Sequence, residues 1–374
     1  MADLYELETI LNYVALTEKY QEKGRAGGPN PLYDFYTAGT PKPYQTDQVE
    51  FIKLGTVKDP APLNARGNPA RVLTPTGKEK RRLTMYNSFD AIRLGMDSLQ
   101  MIRHPEQWSL QQKGKEEIEQ QFEDFGTRHA VTKRLIVSKT LSSQFVYIDA
   151  AGDILEDSTG AVAGAATGIP SSNLSQIAKT SFGMGSGNII DKAWDDPTAK
   201  ILDHLDLMNE AAEYNNAEAL AHVWLHKSNK IWIRANDQIL EQYGSGGGNP
   251  NRLDNDLKGD TFEFNNYTFH FYGGTYTKTD GNTGYYVPKT QAIITPDPAN
   301  NNWIAVGNGM QLVCNSIDVM PASSNAMTDW DEVYGDFAYV VKNHNPPSVD
   351  LFMGFNWLFG LRNPASVFAP TVDF

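Results

Sequence analysis

The sequence is poor in cysteine, in positive charge and in long apolar runs. Its single cysteine, Cys314, excludes an intrachain disulfide and fits assembly in a reducing compartment. The net charge of −13 argues against tight or sequence-specific DNA binding, which requires a basic surface. No segment reaches the ~18 consecutive apolar residues of a membrane-spanning helix. The first residues, MADLYELETI, have no basic region before an apolar one, so no signal peptide is expected.

Complete catalytic and nucleotide-binding motifs are also missing from the sequence. FGMGSGN (182–188) lacks a preceding strand and the full Gly-x-Gly-x-x-Gly pattern, and PTGKEK (75–80) lacks the other residues of a P-loop. Acidic clusters such as Asp195–Asp196, and Asp329 with Asp331 and Glu332, are more typical of a solvated surface than of a glycosidase pair. We therefore predict no catalytic residue and no cofactor.

Two further patterns resemble metal sites without completing one. His222 and His226 are four residues apart on a predicted helix, but no glutamate follows the first histidine and no third ligand is evident. Asp254, Asp256 and Gly259 resemble a calcium loop. However, Lys258 stands where an oxygen ligand is needed, and Asn265 occupies position twelve, where a calcium loop has a glutamate. Cys314, within MQLVCNSI, is typical of a small buried hydrophobic residue. We predict no metal site.

The clearest periodicity in the chain predicts one long helix over residues 106–141. Steps of four, three, four, three and four residues define a single stripe along it, and a β-hairpin at 144–157 follows directly. The part from Lys115 to Leu141 would be ~40 Å long. The stripe is formed by Ile118, Phe122, Phe125, His129, Thr132 and Ile136.

An unusual basic stretch lies between a short predicted strand at 48–54 and residue 82. It has a net charge of +5 and is broken by proline and glycine, yet it is longer than a normal connection. We interpret it as a long two-stranded β-finger with its tip near Pro75–Gly77. A hairpin alone is marginally stable in water, so the finger needs a partner, and the simplest partner of this acidic protein is another copy. The basic residues that we assign to the finger are Arg66, Arg71, Lys78, Lys80, Arg81 and Arg82.

The rest of the chain predicts two substructures. Small residues at 157–190 are typical of a linker, and a helix is predicted within 197–216. A strand followed by a helix is predicted over 231–244, and alternating strands over 267–313. The extended, aromatic-rich segment 337–372 is expected to close the first substructure. The amphipathic residues 1–31 are either a short packed helix or an arm that docks on a neighbour.

Four features, taken in order, resemble the lambda-type major capsid proteins of tailed bacteriophages. They are PLYDFYTAGTPKPYQTDQVEFIKLG (31–55), NARGNPARVLTPTGKEKRRLTM (64–85), the long helix with its hairpin, and NYTFHFYGGTYTKTDGNTGYYVPKTQAIITP (266–296). Each motif alone is moderately specific, and their order and spacing carry the resemblance, which is weakest at 157–190 and 297–335.

The resemblance implies an α+β fold of the Hong Kong 97 type. Its expected parts are an N-terminal arm (1–47), an extended loop (48–90), a peripheral domain (91–190) with a spine helix (106–141) and a hairpin (144–157), an axial domain (191–335), and return strands (336–374). The six basic residues of the finger would lie at the subunit interface, and the helix stripe would face the body of its own domain.

The resemblance also implies a structural role. Subunits would assemble into pentamers and hexamers of an icosahedral head that encloses double-stranded DNA without sequence-specific binding. Scaffolding, portal and decoration proteins are the expected partners, and the product is a virion assembled in the host cytoplasm. Cross-linking of Lys78 or Lys80 to an asparagine such as Asn343 or Asn345 is not expected, because lambda-type members generally use decoration proteins instead.

Two other functions remain open from the sequence. An encapsulin-like compartment would have the same fold and would require a cargo-docking groove. A carbohydrate-acting hydrolase, a different class, is suggested by seven tryptophans and 17 tyrosines, although aromatic residues serve cores and interfaces equally well.

Overall fold

The computed structural model describes residues 29–39, 41–54, 78–94, 108–142, 145–148, 154–157, 190, 192–214, 217–245, 253, 256–277, 281–300, 303–314, 330–344, 347–363 and 366–373. Several predicted features lie outside these residues. They are the amphipathic stretch before residue 29, Arg66 and Arg71 with the finger tip at 75–77, the hairpin turn at 150–152, and most of the small-residue linker, 158–189.

Helices and strands are mixed in the described residues, so the predicted α+β class is confirmed. The helices are α1 (Pro31–Thr37), α2 (Trp108–Leu141), α3 (Ile201–Tyr214), α4 (Lys230–Ala235) and α5 (Asp237–Ser245). The long predicted helix is present as α2, 34 residues and about 51 Å long. It runs through Gly126 without interruption. No helix in the described ranges is both long enough and apolar enough to cross a membrane.

The strands follow the chain in three groups. Before α2 lie β1 (Lys42–Tyr44), β2 (Gln48–Leu54), β3 (Lys78–Thr84) and β4 (Tyr86–Leu94). After it come β5 (Phe145–Ile148), β6 (Ile154–Asp157), β7 (Leu220–His226), β8 (Thr261–Phe264), β9 (Tyr267–Tyr272), β10 (Thr275–Thr277), β11 (Thr283–Tyr285) and β12 (Ile293–Pro296). The last group is β13 (Ile304–Cys314), β14 (Trp330–Tyr334), β15 (Asp336–His344) and β16 (Pro347–Leu361).

A six-stranded sheet is organised around the 15-residue strand β16. This strand pairs in antiparallel fashion with β15, β4 and β13, while β14 and the parallel strand β1 add to β13. Its odd-numbered residues lie on one face because strand side chains alternate. Phe355 and Trp357 on that face share a core with Leu135 and Ile136 of α2, so the long helix covers this side of the sheet.

The second sheet has the order β12-β7-β9-β8 and contains one parallel pair, β7 with β9. One face, with Val223, Leu225 and Phe269, shares an apolar core with residues of α3, α4 and α5. The opposite face carries Trp224 and His270, against which α1 packs. Helix α1 thus lies between the two sheets.

Two local predictions in this region are wrong. His222 and His226 lie on strand β7, not on a helix, because the strand is central and apolar on both faces, which hides its period of two. Residues Ile231–Ala235 form helix α4, not a strand. Their β-branched and aromatic residues favour a strand. In the structure one face of the helix packs on the core, so Ile233 is buried while Ile231 is largely exposed, and this packing overrides the local preference.

The sequence division at residue 335 also differs from the sheet topology. Strands β13 and β14 fall in the range predicted for the axial domain (191–335), yet β13 pairs with β16 and β14 pairs with β13. Both therefore belong to the first sheet, and the chain returns to it at Ile304. The sequence pattern marks these segments as strands but carries no information about their partners.

Candidate functional site

The basic finger begins as a regular antiparallel hairpin. Strands β2 and β3 pair from Gln48 with Thr84 at the base to Leu54 with Lys78 at the outer end. Lys78, Lys80, Arg81 and Arg82 are thereby placed on one strand, opposite Leu54, Ile52, Phe51 and Glu50.

The base of the hairpin is anchored on the six-stranded sheet. Val49 and Leu83 share a buried cluster with Met85, Ala305 and Leu358. A Cβ added at Gly360 of β16 would lie 3.0 Å from the Leu83 side chain, so the glycine allows this close approach. The guanidinium of Arg362 lies 4.6 Å from the centre of the Phe51 ring, in cation–π geometry.

Beyond its base, the hairpin has backbone partners only within itself among the described residues. Two-stranded ribbons are marginally stable in water unless another surface covers them. The geometry therefore provides an anchored base and an outer part whose strands are not joined to either sheet.

We predict that Leu83→Ala destabilises the hairpin locally. The side chain is fully buried in the small cluster at the hairpin base, and removing a buried leucine typically costs about 2–5 kcal/mol. Hydrogen exchange of the β2 and β3 amides should accelerate, while exchange in α5 should not change. Equal acceleration in both regions would show that the leucine supports the whole fold instead.

The predicted stripe of α2 can be followed residue by residue. Phe122, His129, Thr132 and Ile136 are buried, Phe125 is half-buried, and Ile118 belongs to the same helix. The Thr132 hydroxyl donates to the carbonyl of Arg128 at 3.0 Å, which satisfies it within the helix. These four buried side chains therefore point into the protein.

His129 joins α2 to β4. Its Nε2 lies 2.7 Å from Asp90 Oδ2 and 3.2 Å from Ser88 Oγ, and its ring meets Phe355 edge-on. The hydrogen bond from His129 is the main cause that lowers the pKa of Asp90. A nucleophilic triad places serine and aspartate on opposite ring nitrogens, whereas both approach the same nitrogen here. The arrangement fastens the helix to the strand.

Lys133 makes a second polar link between helix and sheet, which the spacing analysis does not reveal. Its ammonium forms an ion pair with Asp336 and lies 4.9 Å from the Phe355 ring centre and 5.9 Å from that of Trp357. Asp336 is 203 residues away in sequence, so no local signal connects the two. The lysine lies beside the predicted stripe.

The residues that resemble metal or acid sites have ordinary structural contacts. In the described part of the chain, no three His, Cys, Asp or Glu side chains gather into a possible metal site. The carbonyl of Gly259, from the calcium-like loop, accepts a hydrogen bond from Lys230 Nζ at 2.5 Å. Asp196 accepts from the backbone N–H and the hydroxyl of Thr198, which lower its pKa, whereas a glycosidase acid needs a raised one.

An acidic stripe lies on the outer side of α3. Asp203, Asp206, Glu210 and Glu213 recur at steps of three, four and three residues and are all exposed. Asp206 also accepts a hydrogen bond from the Tyr267 hydroxyl at 2.9 Å. Residues 191–218 contain eight acidic residues and two lysines, a net charge of −6, which complements the +5 of the finger.

Comparison with known proteins relates the chain to phage capsids. Residues 163–308 match the family described as phage major capsid protein E. Among curated proteins, no sequence matches significantly. Of the four features that carry the resemblance, only the segment 266–296 lies within the matched range. The match also includes part of 157–190 and 297–335, where the resemblance is weakest.

Solved structures with similar shapes include capsids of several sources. The capsid of cyanophage A-1(L) is 10% identical, with 89% of this chain and 90% of that chain covered and a TM-score of 0.46. The mature capsid of bacteriophage PhiM1 is 11% identical, with coverages of 88% and 83% and a TM-score of 0.45. A virus-like particle from Pyrococcus furiosus is 10% identical, with coverages of 96% and 98% and a TM-score of 0.39. The match of residues 163–308 to phage major capsid protein E supports the resemblance to tailed-phage capsid proteins that the sequence motifs indicate.

Proposed function

We propose that this chain is the major capsid protein of a tailed bacteriophage. Copies of it assemble into pentamers and hexamers of an icosahedral head that encloses double-stranded DNA. The family match over residues 163–308 supports a capsid role, and so does the order of hairpin, long helix and second hairpin in the fold. The role is structural, and we propose no catalytic residue and no cofactor.

The observation that carries this proposal is the basic hairpin of β2 and β3. Its base is held by Leu83 on the first sheet, while its outer part has no strand partner among the described residues except itself. A second copy of the chain supplies the missing surface. Subunit contacts of this kind repeat around a closed symmetric assembly, so an interface of modest binding energy contributes once for every subunit.

The acidic stripe of α3 is the surface that we assign to the finger of a neighbouring subunit. Exposed ion pairs contribute only about 0.2–1 kcal/mol each, so no single pair holds the shell together. Charge complementarity instead sets the register between subunits and accelerates their encounter. Lys78, Lys80, Arg81 and Arg82, together with Arg66 and Arg71, are the interface residues of this proposal.

Negative-stain microscopy and size measurement of the purified protein test the proposal directly. Hollow particles or rings of subunits are the expected result, and nuclease-protected DNA in native particles identifies a virion. Particles that contain a cargo enzyme instead of DNA would identify an encapsulin-like compartment. A stable monomer that hydrolyses a carbohydrate would overturn the shell-forming role.

Further parts of the proposal concern partners and domains. We propose that a scaffolding protein, a portal and a decoration protein act with this chain, and that assembly takes place in the host cytoplasm before DNA enters. The arm, extended loop, peripheral domain, axial domain and return strands are assigned as the sequence predicts. The end of the axial domain moves from residue 335 to the end of β12, because β13 pairs with β16.

A further inference from the structure

Two histidines face each other on the side of the second sheet that meets α1. His222 lies on β7 and His270 on the neighbouring strand β9. Their atoms Nδ1 and Nε2 are 3.1 Å apart, a hydrogen bond in which one ring donates and the other accepts. At least one of the rings must therefore be neutral, because two protonated rings have no acceptor.

Helix α1 covers this pair with an aromatic side chain. Phe35 meets His222 edge-on with ring centres 4.8 Å apart, and its ring centre is 5.3 Å from that of His270. His270 in turn stacks on Trp224 at 4.2 Å. Burial against these rings takes water away from a protonated imidazole, and this loss of hydration favours the neutral form.

The same helix also connects to the rest of the protein. The Tyr36 hydroxyl lies 2.6 Å from Thr295 Oγ1 of β12, and the Tyr33 ring centre is 5.9 Å from that of Trp357 in the first sheet. Releasing α1 therefore loosens the contact between the two sheets.

Few charged groups surround the pair in the described residues. Asp297 acts on His222 and favours its protonated form. Asp34 of α1 accepts from the backbone N–H of Asn30 at 3.3 Å, and Glu263 of β8 pairs across from Thr268, one position along the same face from His270. His226, further along β7, is influenced by burial and by Lys289. The histidine pair is therefore surrounded mainly by apolar side chains, such as Phe35 and Trp224.

We propose that the His222–His270 pair is a pH-sensitive latch, which keeps α1 docked while both rings are neutral and releases it when mildly acidic solution protonates them. The latch is a property of the single chain, so it does not depend on shell assembly.

The direction of the pH effect follows from proton linkage. Burial lowers the pKa of His270 to about 4, with a smaller contribution from His222, and burial also lowers the pKa of His222. In the proposed released state water reaches both rings, so their pKa values return toward the ordinary 6.5 and they bind protons that the docked state excludes. Docking is therefore fully favoured above pH 6.5 and weakens as the pH falls toward 4. His270 alone shifts the opening equilibrium about tenfold between pH 7.5 and 5.5.

Hydrogen exchange of the full chain at these two pH values tests the latch. Protection factors, corrected for the intrinsic pH dependence of exchange, are measured for the α1 amides and for those of α5 as an internal reference. We expect protection in α1 to fall about tenfold or more at pH 5.5, and protection in α5 to stay constant. Unchanged protection in α1, or an equal loss in both helices, would overturn the proposal.

A variant with isosteric amides shows whether the histidines cause the effect. His222→Asn and His270→Gln together place amide groups where Nδ1 and Nε2 lie, and neither amide titrates. Protection of α1 should then be the same at both pH values. If the double variant fails to fold, His270→Gln alone should at least reduce the response. His204→Asn is the matched control, because His204 lies on α3, where its Nδ1 accepts a hydrogen bond from Trp194 Nε1. The response of this variant should equal that of the unmodified protein. A response that persists in the folded amide variants would refute the latch.

Discussion

Neutralising Arg81 and Arg82 together, as Arg81→Gln with Arg82→Gln, is expected to suppress shell formation while the isolated subunit remains folded. Both residues lie on β3, which in the described residues is paired only with β2. If each arginine forms one ion pair with a neighbouring subunit, losing both costs about 0.4–2 kcal/mol per subunit, which raises the protein concentration needed for assembly about 2- to 30-fold. Particle yield at fixed concentration, measured by light scattering and negative-stain microscopy, gives the result.

The control for this experiment removes the same charge elsewhere. Lys227→Gln with Lys258→Gln changes the net charge equally, but these lysines lie near the second sheet, where Lys227 pairs with Asp260 at 3.2 Å. Assembly of this control should be close to normal. Normal yield from the arginine variant, or equal loss from both variants, would contradict the role given to the finger.

Charge reversal identifies the partner surface. Arg81→Glu with Arg82→Glu should prevent assembly more completely, since like charges then meet. Adding Glu210→Lys and Glu213→Lys on the exposed side of α3 should restore part of the particle yield if this stripe receives the finger. Failure of rescue, with assembly still lost in the arginine variant, would keep the finger at the interface but move its partner away from α3.

The sequence predicts the long helix well because its pattern persists over many turns. The observed bounds, Trp108–Leu141, differ from the predicted 106–141 only at the start. Short apolar runs are different, because five residues such as Ile231–Ala235 fit a strand or one turn and a half of helix equally well. Packing of Ile233 into the core beside α3 decides the outcome, and this packing involves residues distant in sequence.

Contacts between segments that are distant in the chain could not be predicted from the sequence. The pairing of β13 with β16, the ion pair of Lys133 with Asp336, and the histidine pair each join residues of different elements. The basic character of the finger could be read from the sequence, because charge and proline content are local properties. Composition alone therefore predicts the candidate interface, whereas the proposed latch depends on a contact that forms only in the folded chain.

The second large effect is expected from the core beneath the long helix. Ile136, 2% exposed, belongs to the cluster that contains Phe355 and Trp357 of β16. We expect Ile136→Ala to lower the free energy of unfolding by about 2–5 kcal/mol, because it removes buried methyl groups and leaves a cavity. A domain is typically stable by only about 5–15 kcal/mol, so this one change should also reduce the yield of soluble protein.

Urea unfolding followed by circular dichroism measures this loss against an exposed position of the same helix. Asp124→Ala is the control, because Asp124 is exposed and surface changes usually stay within about 0.5 kcal/mol. If the helix face defined by Phe122, His129, Thr132 and Ile136 holds the helix on the sheet, the two variants differ by at least about 2 kcal/mol. Equal stabilities would mean that the polar links of His129 and Lys133 hold α2 on the sheet, and that the buried apolar side chain of Ile136 contributes little. Because Ile136 is buried in the core of the subunit, its variant should lower stability without changing how intact subunits assemble. The arginine variant should do the reverse, and this contrast separates folding of the subunit from association of subunits.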